Sequence, residues 1–491
     1  MADLDTLILT PHEMAAADAA SAAGGIPSYQ LMERAGQAVA ALALQRYPQA
    51  LRFVVLCGPG NNGGDGYVAA RALQEAGATV DLHASAGVDD LKGDARRAAL
   101  AFAGTSRPLS EYRPIAGDVV VDALFGAGLS RALSPDVQTV IDAVNRSGTP
   151  VIAVDLPSGV CGLTGSVLGT AFSAAQTITF MARKPGHLLM PGRELCGELT
   201  VFDIGMPHRV VAAQAGDLRR NDPRLWIPHL PRLATETHKY KRGHLVVFSG
   251  GPSHTGAARL SARAGLKCGA GLVTIAAPLD AMAVNAPSLT AVMLRAVENA
   301  TALKDWLGTA RIGACVLGPG FGVGERARDF VGVLRDTPLV LDADGITAFR
   351  AEPQVLFELF ATGDTRLVLT PHEGEFSRLF PDIAADKELG KVEKARVAAR
   401  RAHAVIVYKG ADSVIAAPDG RTYINDNAPS WLATAGSGDV LAGMIGALLA
   451  QGVASFEAAA AAVHMHGETA LRASPGMTAE DLAEHARVTL P

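Results

Sequence analysis

Short β-branched runs alternate with Ala-rich, helix-patterned stretches along the whole chain. In the first half the pattern predicts strands at 52–57, 79–83, 118–124, 150–156, 176–181 and 198–204, with helices such as 65–75 and 136–145 between them. In the second half it predicts strands at 244–249, 272–276, 314–317, 339–342, 366–370 and 404–408. Strands that alternate with helices make α/β units with largely parallel sheets, and such sheets bind ligands at the carboxyl ends of their strands. The rhythm breaks at 206–243, which is rich in Pro, Arg and His and lacks a strand pattern. A domain boundary near residue 220 follows, giving domains 1–220 and 221–491. No repeat relates the halves, so two unlike α/β domains are expected, and 491 residues exceed what one core normally serves.

Composition narrows the function classes. Apolar residues make up 49% and charged residues 19% of the chain, as in well-cored globular proteins. The formal net charge is -5 with both signs intermixed. No basic block offers a nucleic-acid footprint, and nothing favours docking on an anionic membrane. Phosphate recognition, if present, must then rest on backbone N–H groups, helix ends and a few lysines. The five cysteines (Cys57, Cys161, Cys196, Cys268 and Cys315) contain no C-x-x-C pair, which suits reduced thiols rather than a disulfide framework or a zinc site. The first residues carry acidic rather than basic side chains, and no apolar run approaches membrane-spanning length, so a soluble cytoplasmic protein is expected.

The candidate chemistry lies in glycine-rich strand ends. "GPGNNGGDG" (58–66) follows the first strand and precedes a helix. Glycine is costly to order, so this cluster implies a need for bare backbone, where N–H groups and a helix dipole can face an anion. The pattern is neither the dinucleotide fingerprint nor a P-loop. The bland alternative is a tight turn with Asp65 as helix cap. "VVVDALFGAGLSR" sets Asp122 at a second strand end before another glycine loop, and "VIAVDLPSGV" does the same with Asp155 and Ser158. Asn62, Asp122 and Ser158 offer oxygens suited to a hard cation, and Asp155 is a candidate proton donor and acceptor. Together, in this order and spacing, these stretches resemble the NAD(P)H-hydrate epimerase family over most of residues 1–215. The resemblance implies a Rossmann-like three-layer domain that interconverts the R and S forms of hydrated NADH and NADPH (NADHX and NADPHX). It implies a potassium ion at Asn62, Asp122 and Ser158. It also implies substrate contacts from Asn61, Asn62, Gly63, Gly64, Asp65, Gly126, Ala127, Gly128, Leu129, Ser130, Arg131, Ala132 and Asp155, with Asp155 as acid/base.

In the second half, "TAGSGDVLAGMIGALLAQG" puts Gly436, Ser437 and Gly438 at the start of an apolar helix with Asp439 in its first turn. Backbone N–H groups there can receive phosphate oxygens, and Asp439 is placed to take a proton from an attacking hydroxyl. The bland alternative is a carboxylate that merely complements the helix dipole. The loop resembles the G-A-G-D signature of ribokinase-like kinases, with Ser437 in place of Ala. "VLGPGFG" (316–322), "LVLTPHEGEF" (367–376), "LVLDADGI" (339–346) and "VIVYKGADSVIAAPDG" (405–420) match one branch best, the ADP-dependent NAD(P)H-hydrate dehydratases, from about residue 235 onward. "HKYKRGHL" departs from that branch by its extra basic residues. The resemblance implies that Lys409, Gly410, Ala411, Asp412, Ser413 and Gly438 hold ADP. It implies that Ala257, Gly320, His372 and Asp439 line the hydrate site, with Asp439 catalytic; His372 in isolation reads as a core histidine.

The implied activity is repair: epimerisation of R and S NAD(P)HX, then ADP-dependent dehydration of the S form to NAD(P)H with release of AMP and phosphate. Magnesium would accompany ADP. A homo-oligomer is expected. The rival reading is a ribokinase-type kinase of a vitamin or sugar alcohol, with a non-catalytic binding module in front.

Overall fold

The computed structural model describes residues 4–231 and 242–487. It divides into two compact units, Met1–Leu218 and Arg219–Pro491. Residues 232–241, which carry most of the basic insertion, lie outside the described residues.

The first unit is built on a seven-stranded sheet: β1 (Arg52–Cys57), β2 (Val80–Ala84), β3 (Ser106–Pro108), β4 (Asp118–Ala123), β5 (Val151–Val154), β6 (Gln176–Phe180) and β7 (Glu198–Phe202). The strands run parallel in the order β3-β2-β1-β4-β5-β6-β7. Alternation within the strands decides the layers. Val55 and Val121 join Val39 and Tyr67, from helices Ser28–Arg46 and Asn61–Glu75, on one face. Val54, Leu56 and Val120 join Val137, Ile141 and Val144, from helix Pro135–Ser147, on the other. Helices cover both faces, so the central strands are buried on both sides and read as nearly continuous apolar runs. The Ser106–Pro108 strand, with two exposed residues, had no apolar pattern to reveal it.

The second unit carries a ten-stranded sheet. Its strands are β8 (Leu218–Arg220) at the boundary, β9 (His244–Phe248), β10 (Leu272–Ala277), β11 (Met293–Ala296), β12 (Ala314–Leu317), β13 (Leu339–Leu341), β14 (Leu367–Leu369), β15 (Val405–Tyr408), β16 (Val414–Ala416) and β17 (Thr422–Ile424). The order is β11-β10-β9-β12-β13-β14-β15-β16-β17-β8. Pairing is parallel from β11 to β15, then antiparallel through β16 and β17. The helix Ser437–Ala450 is buried along nearly its whole length and packs with Ser455–Ala473 into the core, as an all-round apolar helix must. The stretch at 206–243, which shows no strand pattern in the sequence, holds helix His208–Gln214, β8 and the short helix Pro223–Trp226. β8 is too short and too arginine-rich to show a strand period.

Among the described residues, no helix is long and apolar enough to cross a membrane.

Candidate active sites

In each sheet the strand order reverses once, and the backbone there is unusually close-packed. In the first unit the reversal lies between β1 and β4. A Cβ at Gly58, just past β1, would stand 1.7 Å from the Leu124 carbonyl oxygen, and one at Gly63 would stand 1.9 Å from the Gly58 carbonyl oxygen. In the second unit the reversal lies between β9 and β12, and a Cβ at Gly250 would stand 1.9 Å from the Gly320 carbonyl oxygen. These are the crevices where parallel α/β sheets take ligands.

The crevice of the first unit opens into a cavity of about 600 Å³. Asn61, Asn62, Asp65, Asp155 and every residue from Gly126 to Arg131 line it. Gly63 and Gly64 do not. They lie buried in the helix, with the Met32 side chain 2.5 Å from where a Gly64 Cβ would be. Ala132 is exposed and also off the lining. The helix begins at Asn61, not at 65 as the pattern suggested, so "NNGG" forms its first turn and Asp65 sits one turn in rather than as cap. Propensity hid this, because paired Gly and Asn disfavour a helix unless packing imposes one.

Asp155 is the best-tethered group in the cavity. Its Oδ1 accepts from Lys184 Nζ and Thr179 Oγ1, both at 2.8 Å, and its Oδ2 accepts from the Ala127 N–H at 2.8 Å. Burial opposes its charge, but the Lys184 ammonium and these donors outweigh burial and hold the carboxyl well below the ordinary range. The backbone of Asp155 has φ 63, a left-handed conformation that costs a non-glycine residue energy and marks functional sites. His187 braces that turn: its Nε2 donates to the Asp155 carbonyl at 2.7 Å, while its Nδ1 accepts from the Lys184 N–H at 2.8 Å. Burial pushes the ring down to about 4, so it is neutral, and these contacts fix the proton on Nε2.

Asp122 and Ser158 lie beneath the lining, both fully buried. Ser158 donates to Asp122 through its N–H (2.7 Å) and hydroxyl (2.6 Å), and the Leu124 N–H adds a third donor at 3.2 Å. Burial raises the Asp122 carboxyl to about 6. Among the described residues no lysine or arginine pairs with it. The Asn62 Nδ2 is buried without a partner. A buried carboxylate short of positive charge, and an amide whose oxygen and nitrogen can exchange places, are the kinds of donor that suit a monovalent cation.

In the second unit, Asp439 sits in the first turn of helix Ser437–Ala450, whose N-cap Gly436 is left-handed at φ 86. Its backbone carbonyl accepts from Ser261 Oγ at 2.7 Å, tying the loop to helix Gly256–Lys267. Burial, then the Asp342 carboxylate, raises Asp439 to about 6. Lys409 Nζ pairs with Asp342 Oδ1 at 2.9 Å and Glu375 Oε2 at 3.8 Å, and lies 3.4 Å from where a Gly438 Cβ would be. Burial works against the Lys409 charge, but Asp342 and Glu375 outweigh it and raise its pKa. Gly320 meets Ala257 and His254 at the reversal point. His372 is no core histidine: its side chain is 56% exposed and caps helix Glu373–Leu379, with Nε2 3.3 Å from Glu375 Oε1. Glu375 therefore links His372 to Lys409. The segment 410–413 is closed by Ser413, whose hydroxyl bonds the Gly410 N–H and carbonyl, and Asp412 pairs with Lys391.

Sequence reasoning missed Lys184, Thr179, His187, Asp342 and Glu375. Lys184 had a readable signal, since "MARKPGH" follows directly on β6 at the cavity end of the sheet.

Comparison with known proteins bears on both units. A family model described as NAD(P)H-hydrate dehydratase matches residues 245–491, and one described as YjeF-related protein N-terminus matches residues 28–186. The bifunctional NAD(P)H-hydrate repair enzyme of Thermofilum pendens is 39% identical, covering 90% of this chain and 87% of its own length. Those of Moorella thermoacetica and Escherichia coli are 37% and 35% identical, covering 94% and 91% of this chain and 91% and 85% of theirs. The solved ADP/ATP-dependent NAD(P)H-hydrate dehydratase of Bacillus subtilis is 25% identical over 54% of this chain and 95% of that one, with a TM-score of 0.47. With relatives aligned along nearly all of its length, the chain belongs to the family of bifunctional NAD(P)H-hydrate repair enzymes.

Proposed function

We propose that residues 1–220 epimerise R and S NAD(P)HX and that residues 221–491 dehydrate the S form at the expense of ADP. The observation that carries this reading is the pairing of two differently tuned carboxylates: Asp155, locked as an anion in the first cavity, and Asp439, raised to about 6 at a helix N-terminus. In the first unit the loop 126–131 and Asn61 hold the nucleotide, and Asp155 transfers protons at the oxygen borne by the hydrated ring carbon. Asn62, Asp122 and Ser158 would hold potassium, which would compensate the buried Asp122 charge and stiffen the adjoining loop. In the second unit Asp439 takes the proton of the substrate hydroxyl as that oxygen attacks phosphorus. The N–H groups of the Gly438 turn and Lys409 face the transferring phosphate, and 410–413 hold the rest of ADP. Magnesium would ride on the nucleotide phosphates beside Asp342, supplying charge neutralisation there. Loss of phosphate from C6, driven by the ring-nitrogen lone pair, followed by loss of a proton from C5 to solvent, then restores the dihydropyridine.

The test is recovery of NADH absorbance from a mixed R and S NADHX sample, with and without ADP. Complete recovery that needs ADP is the expected result. Recovery of the S fraction alone would refute the epimerase assignment. Absence of any recovery would favour a ribokinase-type kinase acting on another alcohol. Cytoplasmic residence and a homo-oligomeric state complete the reading, testable by fractionation and light scattering.

A further inference from the structure

The cavity of the first unit is lined by more acid than one proton-transfer residue requires. Besides Asp155 it presents Asp65, Asp18 and Asp94, with Lys184 as the buried cation and Arg131 at its edge. Lys184 Nζ is already committed to Asp155 Oδ1, Thr179 Oγ1 and the Phe180 carbonyl. Asp94 accepts from the Ser28 hydroxyl. Among the described residues, no N–H, hydroxyl, lysine or arginine bonds the carboxyl group of Asp18 or of Asp65. Asp18 is exposed, whereas Asp65 is half-buried. It projects from the third residue after Asn62 on the helix whose start the switch-point glycines fix. Two carboxyl groups thus face one cavity in opposite conditions, one saturated with donors and one with none. That is the arrangement that separates an acid from a base in one site.

We propose that Asp65 is a second catalytic residue of the epimerase, the acid that protonates the departing hydroxyl while Asp155 serves as its anionic counterpart. This rests on the epimerase reading of the first unit. The hydrated ring is a hemiaminal, with the hydroxyl on the carbon next to the ring nitrogen. Asp65 gives its proton to that hydroxyl and the C6–O bond breaks, its electron pair leaving with water. The N1 lone pair forms C6=N1, a cation that the Asp155 carboxylate and the newly ionised Asp65 face. Water then adds to the opposite face of C6 and passes its extra proton to Asp155. The return reaction uses the same two groups in exchanged roles, and solvent re-equilibrates the proton between them. Burial and the nearby Asp155 and Asp18 charges raise the Asp65 carboxyl well above the ordinary range, which favours its protonated form.

The experiment uses the full chain without ADP, so that dehydration cannot interfere, and purified S-NADHX in ¹⁸O-enriched water. The wild type is expected to form R-NADHX with one ¹⁸O incorporated per epimerisation. Asp65→Asn should slow epimerisation by about 100-fold or more, with unchanged thermal unfolding as the check on the first unit and unchanged ADP-dependent dehydration of S-NADHX as the check on the second. Asp65→Glu should restore part of the rate. The turnover of the wild type should fall at high pH, and that limb should be missing from the residual rate of Asp65→Asn. Epimerisation by Asp65→Asn within about threefold of wild type would overturn the assignment, as would epimerisation without ¹⁸O uptake. A wild type that does not epimerise at all would instead overturn the epimerase reading itself.

Discussion

Asp439, which we propose as the base of the dehydratase, illustrates how a single residue can be costly to the fold. Its carboxyl value of about 6 exceeds the ordinary one because burial and Asp342 disfavour the anion. A native carboxyl that binds protons more tightly than the unfolded chain lowers stability as pH rises through that interval, with the full penalty above about 6. Asp439→Asn should therefore raise the melting temperature at about pH 8, by about 1–2 kcal/mol of stability, and do nothing at about pH 4. It should also abolish ADP-dependent dehydration, while the wild-type rate climbs with a midpoint near 6 as the base ionises. Calorimetry at the two pH values, paired with NADH recovery, checks both signs. Lys184 makes the complementary case. Lys184→Met leaves Asp155 without its cation, so epimerisation should drop by about 100-fold, whereas dehydration of pure S-NADHX should persist. A variant that epimerised normally would show the ion pair to be mere scaffolding. Asp155 was legible because it ends a β-branched run, and Asp439 because it follows a glycine pair at the start of an apolar helix. Asp342 and Glu375 were not, because their roles depend on which strand ends meet, and pairing order is not written locally.

At the level of the element, the glycines of "GPGNNGGDG" separate into two kinds. Gly58 and Gly63 have no room for a methyl group against backbone carbonyls, whereas Gly60 has nothing within 4 Å. Gly58→Ala should destabilise the first unit by about 3 kcal/mol and abolish epimerisation, and Gly60→Ala should do neither. Thermal unfolding of the two variants side by side decides it. Equal effects would mean that the whole loop is tuned for ligand rather than half of it for packing. The sequence pattern marked the cluster and its place at a strand end. It misplaced the helix start by one turn, because four poor helix formers are held helical by contacts from Met32 and the β1–β4 crossing. Short strands such as Ser106–Pro108 and Thr422–Ile424 were lost for a related reason: three residues cannot show a period.

For the whole molecule, each unit has its own sheet, its own core and its own switch-point site. If the substrate diffuses between the sites, two crippled chains should complement each other. Asp155→Asn mixed with Asp439→Asn should recover R and S NADHX with ADP as completely as the wild type does, although neither variant alone can. Time courses at several dilutions would test this, since failure of the mixture at concentrations where the wild type completes recovery would mean that substrate must pass within one chain. The alternation of strands and helices was enough to expect two α/β units. The antiparallel extension through β16 and β17, with β8 at its edge, was not foreseen, because these strands are short and two of them lie beside polar turns.

The left-handed backbone of Asp155 has a consequence for natural variation. A position held at φ 63 favours glycine over every other residue, and a single-base change converts an aspartate codon to a glycine codon. Such an allele would relieve strain at the cost of the carboxylate. The relief is outweighed, because the buried Lys184 ammonium would lose its partner. The encoded protein would be less stable as well as unable to epimerise, so the position keeps its strained aspartate although glycine lies one base away.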